Sequence, residues 1–266
     1  ADVTILAMER GAVDFVTKPT NIIEAKGDAF RKEILGILNA VLKTERISLT
    51  ERRPAVAAVS AVQKRNASAE TRFKNKIVAL ACSTGGPKAL QSVIPYLPAN
   101  LDAPMVLVQH MPAGFTNSMA NRLDEISKIH VKEAENGEIL KKGTVYIAPG
   151  GKHMEVKKCP DGSHKIVYND MPPIGGLKPC ANITYDSLRT CGYDQVVCVV
   201  LTGMGADGTN GILELSKVKP IYTIAQDAQT CVVYGMPKAI AETGLVNEVV
   251  PLTEVANSIT KNVGVN

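Results

Sequence analysis

The sequence contains no tryptophan, and aromatic residues make up only 4% of its 266 residues. Proteins that bind single-stranded nucleic acid stack bases on aromatic side chains, so this scarcity argues against a nucleic-acid partner. No apolar run in the chain approaches the length of roughly 20 residues that a helix needs to span a bilayer. We therefore expect neither nucleic-acid binding nor membrane insertion.

The six cysteines form no CxxC pair, and several of them lie within apolar runs. Closely spaced cysteines would indicate a zinc site or a disulfide framework, and their absence predicts reduced, partly buried thiols. The first ten residues, ADVTILAMER, carry charges within their apolar pattern. A signal peptide is therefore not expected, and the predicted location is the cytoplasm.

The net charge of +4 comes largely from a basic excess between Arg46 and Lys76. This stretch has no sustained hydrophobic period, so residues 46–75 are interpreted as an interdomain linker. Residues 1–45 are interpreted as a helix, a strand over Ala12–Thr17 and a helix over Phe30–Leu42. Because three elements are too few to enclose a core, we interpret this segment as the end of a larger domain.

From residue 76 to 266, apolar strands alternate with helical patterns, which is typical of an α/β domain with a parallel sheet. The sequence predicts three α/β/α layers around a doubly wound, mostly parallel sheet. Segments Lys152–Lys157 and Lys165–Asn169, joined through a Pro-Asp-Gly turn, predict a β-hairpin insertion. His130, His153 and His164 are expected on the surface or within strands.

The stretch from Lys76 to Leu97 organises this domain. A buried strand ends in Cys-Ser-Thr-Gly-Gly-Pro, after which the apolar residues follow a helical period. Glycines allow a sharp turn, and proline suits a first helical turn. Ser83 therefore lies between a strand and a helix, where a serine acts as a nucleophile or as a phosphate ligand.

Two other buried strands also end in a polar residue within a Gly- or Pro-bounded loop, at His110 and at Asp207. Sites in open parallel sheets form at the carboxyl ends of the strands, so these residues can converge with Ser83. Serine, histidine and aspartate together suit acyl transfer. Singly, the three residues are also explained as a helix cap, a structural histidine and an N-cap.

The glycines around Asp207 have two interpretations. Gly203, Gly205 and Gly208 would let the backbone approach a substrate, and the Met204 N–H would then hold a tetrahedral oxyanion, an effect of about 3 kcal/mol. Alternatively, they only make tight strand–helix turns. A non-catalytic phosphate- or receptor-binding module is the alternative function, although an anion site built on Ser83 has no use for His110 with Asp207.

Six phrases occur in order from Lys76 onward: ACSTGGPKAL, QHMPAGFT, YIAPGGKHMEV, LTGMGADG, TIAQD and CVVYGMPKAI. Together they resemble the catalytic domain of the chemotaxis protein-glutamate methylesterases, the CheB family. The resemblance implies Ser83 as nucleophile, His110 as base and Asp207 as its orienting acid, with Thr84 as a support for the site. It implies hydrolysis of glutamate γ-methyl esters on the cytoplasmic helices of chemoreceptors, deamidation of receptor glutamines, and no metal or organic cofactor.

The N-terminal phrase MERGAVDFVTKP is similar to the last strand of a response-regulator receiver domain, a flavodoxin-like fold. The resemblance implies that Lys18 contacts a phosphorylated aspartate in a complete receiver, and that a chemotaxis histidine kinase is the partner of such a receiver. It also implies that an unphosphorylated receiver covers the active site. Nothing here corresponds to the acidic pocket, so residues 1–45 are interpreted as a truncated receiver that phosphorylation does not switch.

The chain departs from the family pattern at two positions near the expected site. Ala81 stands where the family usually has glycine, and a requirement for positive φ there would strain the turn. Asn182 stands where the family commonly has aspartate, within a loop that we expect to shape the substrate groove.

Overall fold

The computed structural model describes residues 1–19, 27–43 and 73–266. The described helices are α1 (Asp2–Glu9), α2 (Asp28–Lys43), α3 (Gly86–Gln91), α4 (Phe115–Ile126), α5 (Ala181–Ser187), α6 (Thr209–Ser216), α7 (Met236–Ala241) and α8 (Val255–Val263). The described strands are β1 (Lys76–Cys82), β2 (Met105–Gln109), β3 (His130–Glu133), β4 (Thr144–Ile147), β5 (His153–Lys158), β6 (His164–Asn169), β7 (Gln195–Val200), β8 (Ile221–Gln226) and β9 (Glu248–Val250).

Seven of these strands form one sheet in the order β3-β4-β2-β1-β7-β8-β9, and every neighbouring pair is parallel. The chain builds the sheet outward from β1 in one direction through β2, and then in the other direction from β7. Strand order therefore reverses beside β1, which is where open parallel sheets form their sites. The predicted α/β fold is confirmed.

Side chains of β1 alternate between two apolar cores, one on each face of the sheet. Leu80 packs with Leu90 of α3 and residues of α4 and α8, whereas Ala79 packs with Tyr185 of α5 and residues of α6 and α7. Because successive strand residues point to opposite faces, one buried strand serves both cores. This alternation produces the three-layer arrangement expected from the sequence.

The hairpin insertion is present as an antiparallel pair, β5 and β6, that forms a sheet of its own. Its Met154, Val156 and Ile166 side chains belong to the same core as α5 and α6. The hairpin is therefore packed on the domain next to α5.

At the N-terminal end, α1 packs on the domain near α3 and α4. Ile5 and Met8 are buried in the core on that face, and Glu9 accepts a hydrogen bond from Arg122 Nε at 2.6 Å. The strand predicted over Ala12–Thr17 is wrong, since the structure gives this segment no regular secondary structure. A strand needs a hydrogen-bonding neighbour, and none of the described residues pairs with this segment.

The helix predicted over Phe30–Leu42 lies within α2. Most of the predicted linker, residues 46–72, lies outside the described residues. Among the residues that the structure does describe, no helix has both the length and the apolar character needed to cross a membrane.

Candidate active site

Ser83 lies directly after β1, on the turn that leads into α3. Three hydrogen bonds hold its backbone: Ser83 N–H donates to Thr202 O at 3.0 Å, and Ser83 O accepts from Gly86 N–H at 2.7 Å and from Gln109 Nε2 at 3.1 Å. The turn needs a left-handed residue, which Gly85 supplies with φ of 79°. The backbone of Ser83 is thus fixed, while its side chain remains partly exposed.

His110 lies beside Ser83 because of the register between β1 and β2. Cys82 pairs with Gln109, so the next residues on the two strands, Ser83 and His110, are neighbours. The buried Gln109 side chain joins them, since its Nε2 donates to Ser83 O and to His110 O, each at 3.1 Å. Sequence reasoning missed Gln109, although its place at the end of a buried strand was visible.

The His110 ring binds Asp207, which follows β7 on the opposite side of β1. His110 Nε2 lies 2.7 Å from Asp207 Oδ2, and His110 Nδ1 is buried without a hydrogen-bond partner among the described residues. A carboxylate accepts hydrogen bonds, so the Nε2 proton faces Asp207 and the Nδ1 lone pair is free. The ring is therefore arranged as a base that would take a proton at Nδ1.

Ser83 Oγ and His110 Nδ1 do not hydrogen-bond to each other in the described part of the chain. The roles expected for the three residues require His110 to bridge Ser83 and Asp207, and the structure provides only the half of this bridge that involves Asp207. Serine hydroxyls rotate freely, and catalytic hydrogen bonds tighten when substrate binds. Ser83 and His110 follow paired residues of β1 and β2, and within the described ranges Ser83 Oγ is available to donate and His110 Nδ1 to accept a hydrogen bond.

Asp207 is held by a dense set of donors. Its Oδ2 accepts from Ala181 N–H at 2.6 Å, and its Oδ1 accepts from Gly208 N–H at 2.9 Å and from Asn182 N–H at 3.1 Å. Burial alone would raise the pKa of this carboxyl, but the bonds from His110 and these donors outweigh burial and lower the pKa to about 2. Asp207 is thus a charged, oriented partner for the imidazole.

Cys180 adds a further donor that the sequence did not reveal. Its Sγ lies 3.1 Å from Asp207 Oδ1. Burial, followed by the nearby Asp207 charge, raises the pKa of this thiol to about 12, so the thiol keeps its proton and donates it. No local pattern links Cys180 to Asp207, because the contact depends on how α5 packs against the loop after β7.

The Met204 amide, the predicted oxyanion donor, lies in the same loop as Asp207. No described residue accepts a hydrogen bond from the backbone N–H of Met204, nor from that of Thr84, the residue after Ser83. Thr84 is buried, and its carbonyl accepts a hydrogen bond from Thr202 Oγ1 at 3.0 Å. Two backbone donors beside Ser83 are therefore free within the described ranges.

Gly203 permits the close approach of the two loops. A Cβ atom at this position would lie 2.8 Å from Ser83 Cβ and 2.4 Å from Met236 Sδ. Real Cβ contacts of this length do not occur, so Gly203 is required where the loop after β7 passes Ser83. The same position was singled out in the sequence as a place of close backbone approach.

Both departures from the family pattern have a structural explanation. Ala81 lies within β1, paired with Val108 and Val200, so no positive φ is needed there. The Asn182 side chain accepts hydrogen bonds from Gly208 N–H at 3.1 Å and Gly211 N–H at 2.7 Å. Asn182 thereby fixes the segment that follows Asp207, and an aspartate could accept the same two bonds.

None of the three remaining histidines hydrogen-bonds directly to Ser83, His110 or Asp207 in the described part of the chain. His130 is exposed at the start of β3, whereas His153 and His164 are buried in the hairpin strands. Within the described ranges, no group of three or more His, Cys, Asp or Glu side chains is placed to hold a metal ion.

A serine beside a carboxylate-bound histidine, at the carboxyl edge of a parallel sheet, is the arrangement of an α/β serine hydrolase. Residues 78–259 match the family model described as CheB methylesterase. The chain therefore belongs to the CheB methylesterase family.

Similar proteins agree with this assignment. A protein-glutamate methylesterase/protein-glutamine glutaminase of Symbiobacterium thermophilum is 40% identical, over 99% of this chain and 74% of that protein. A protein of the same name from Pyrococcus horikoshii is 43% identical, over 99% of this chain and 70% of that protein. The crystal structure of the Thermotoga maritima CheB methylesterase catalytic domain superposes with a TM-score of 0.66 and 42% identity, over 70% of this chain and 97% of that one.

Proposed function

We propose that this chain hydrolyses glutamate γ-methyl esters on chemoreceptors to glutamate and methanol, and that it also deamidates receptor glutamines. The observation that carries the proposal is the buried His110 ring, which follows the strand beside that of Ser83, is bound to Asp207 through Nε2 and has no partner at Nδ1 among the described residues. An anion-binding module would not need this pair. The names of the similar proteins supply the substrate class.

In the acylation step, Ser83 Oγ attacks the ester carbonyl carbon while its proton passes to His110 Nδ1. In the serine proteases the two ring nitrogens have the opposite roles, with Nε2 facing the serine. Asp207 stabilises the imidazolium through Nε2–H and does not itself take a proton. When the tetrahedral intermediate collapses, the methoxy group leaves with the proton from Nδ1 as methanol, and Ser83 carries the glutamyl acyl group.

The Met204 N–H, supported by the Thr84 N–H, donates to the oxyanion of the tetrahedral intermediate. Donors aimed at a developing charge cost no reorganisation during the reaction, and removing one of them costs about 3 kcal/mol in enzymes of this kind. Gly203 supports this role because it lets the Met204 segment approach Ser83.

Deacylation repeats the same chemistry with water. His110 Nδ1 takes one proton from water as its oxygen attacks the acyl carbon, and this proton passes to Ser83 Oγ when the intermediate collapses. The product leaves as the glutamic acid side chain, which loses its remaining proton to solvent. Deamidation differs only in the first half, since a glutamine loses ammonia instead of methanol. Apart from the attacking water, these steps use only side chains and backbone amides of this chain.

We further propose that residues 1–45 are the last elements of a receiver domain, with a chemotaxis histidine kinase as the partner of the complete receiver, and that the protein acts in the cytoplasm. The packing of α1 against α3 and α4 supports a receiver that lies on the catalytic domain, because these two helices follow Ser83 and His110. Lys18 would then be the lysine that contacts a phosphorylated aspartate.

The substrate proposal is tested with membranes that carry chemoreceptors methylated with labelled methyl groups. We expect released methanol from methylated receptors, and ammonia from receptors with glutamine at the same positions. Receptors with glutamate at those positions are the control and should release neither. Absence of methanol release by the folded chain would contradict the proposed substrate class.

A further inference from the structure

His153 is a fully buried histidine that the proposed mechanism does not use. It is the first residue of β5, its exposed fraction is 0%, and it lies in the hairpin instead of the central sheet. Both of its ring nitrogens are hydrogen-bonded. Cys180 N–H donates to Nδ1 at 3.2 Å, and Nε2 lies 3.2 Å from Pro172 O.

These two partners fix the protonation of the ring. A backbone N–H can only donate and a carbonyl can only accept, so Nδ1 is the acceptor and Nε2 carries the proton. Pro172 is exposed, and its carbonyl could bind water instead. Cys180 is buried, so its N–H would be left unpaired without His153. The Nδ1 bond is therefore the costly one to lose.

Cys180 is also the first of three consecutive residues that donate hydrogen bonds to Asp207. Its thiol and the N–H groups of Ala181 and Asn182 all donate to the Asp207 carboxylate, at 3.1, 2.6 and 3.1 Å. The position of the turn formed by these three residues therefore determines the position of the Asp207 carboxylate, and the carboxylate orients the His110 ring. A continuous set of hydrogen bonds thus runs from the hairpin to the base.

We propose that His153, through its Nδ1 bond to Cys180 N–H, is a positioning residue for the Asp207–His110 pair. The proposal rests on the proposed hydrolase function. If the turn shifts, Asp207 and His110 shift with it, and misplacement of a catalytic group by 1 Å costs about 100-fold in rate. The effect should appear in kcat, because the fully buried His153 side chain has no exposed surface with which to contact a substrate.

Two substitutions separate the two ring nitrogens. The Asn side-chain oxygen lies where Nδ1 lies, so His153→Asn keeps an acceptor for Cys180 N–H. The Gln side-chain amide reaches the place of Nε2, so His153→Gln keeps the bond to Pro172 O and leaves Cys180 N–H unpaired. His153→Met fills the volume of the ring without an acceptor, so it also leaves Cys180 N–H unpaired.

The same hairpin offers a matched control. His164 is also buried, and its Nε2 accepts a hydrogen bond from Gly192 N–H at 2.9 Å, but its partners do not reach Asp207. His164→Met removes the acceptor of Gly192 N–H, as His153→Met removes the acceptor of Cys180 N–H, and therefore measures what the loss of a buried histidine of this hairpin does to the fold alone.

The experiment is steady-state hydrolysis of a methylated receptor by the whole chain, with thermal unfolding of each variant. We expect His153→Gln and His153→Met to lower kcat about 10- to 100-fold at nearly unchanged KM, and His153→Asn and His164→Met to stay within about threefold of the wild type. Equal kcat in His153→Asn and His153→Gln, whether both normal or both low, would overturn the proposal.

The Ser83→Ala variant, assayed alongside, keeps the two proposals distinguishable. A wild-type rate that survives Ser83→Ala contradicts the proposed function itself. A rate that requires Ser83 but is unchanged in both His153→Gln and His153→Met contradicts only the role of His153. Should one of these variants fail to fold, the other decides.

Discussion

His110 Nε2 donates to Asp207 Oδ2 at 2.7 Å, although 97 residues separate the two in the sequence. The pair spans the central strand of the sheet, because His110 follows β2 and Asp207 follows β7, and both of these strands flank β1. Ser83 follows β1 itself. The order of the strands thus places the carboxylate and the imidazole on either side of the serine.

Removing the negative charge of Asp207 should prevent His110 from acting as the base. Asp207→Asn keeps the size of the side chain but not its charge. Where the NH2 group of the new amide faces His110 Nε2–H and Ala181 N–H, it cannot accept their hydrogen bonds, and this favours the wrong tautomer of the ring. We expect kcat to fall about 10³- to 10⁴-fold. Steady-state ester hydrolysis measures this loss, and a folded variant that retains a tenth of the wild-type rate would contradict the assigned role.

The same carboxylate should contribute to stability in acid. Its pKa is lowered from 3.8 to about 2 in the folded protein, so its contribution is fully present above pH 3.8 and is lost as the pH falls through about 2. The shift corresponds to about 2 kcal/mol of unfolding free energy. Urea unfolding between pH 5 and pH 2 should show a smaller decrease for Asp207→Asn than for the wild type, and equal decreases would contradict the lowered pKa.

A methyl group at Gly203 should displace the serine. The added Cβ of Gly203→Ala would lie 2.8 Å from Ser83 Cβ, so the two loops must separate. We expect a loss of activity of about 100-fold, with destabilisation of about 1–3 kcal/mol from overpacking. Gly244→Ala is the control, since it introduces strain at a φ of +73° in open space away from the site. If Gly203→Ala costs no more activity than Gly244→Ala, the close approach is not required.

His164 should make the hairpin sensitive to mild acid. Burial, and then the charges of Lys158 and Lys219, lower the pKa of His164 below its ordinary 6.5. The neutral ring accepts from Gly192 N–H, so its contribution is present above pH 6.5 and is lost as the pH falls below that value. His164→Gln should flatten the change in unfolding free energy between pH 7 and pH 5. A variant with the wild-type slope would show that another group titrates there.

The order of elements could be predicted from the sequence because apolar strands and amphipathic helices are local patterns. The strand that contains Ala81 and the turn that contains Ser83 follow directly from such patterns. The convergence of Ser83, His110 and Asp207 also follows, once parallel strands are assumed, because all three lie at carboxyl ends. Their catalytic roles remain predictions.

What the sequence could not predict depends on packing between distant segments. Cys180 reaches Asp207, and His153 reaches Cys180, only because the hairpin and α5 pack beside the loop after β7. For Ala12–Thr17 the sequence predicts a strand that does not form. The composition of this segment favours a strand, but the segment has no pairing partner among the described residues. Propensity is local, whereas a hydrogen-bond partner is supplied by the fold.

The central claim is that Ser83 is the nucleophile of a glutamate methylesterase. Its most direct test is methanol release from methylated chemoreceptor membranes by the wild type and by Ser83→Ala, with the fold of the variant verified by its thermal unfolding. The account predicts release by the wild type and a loss of at least about 1,000-fold in the variant. Equal release by the two proteins would contradict it.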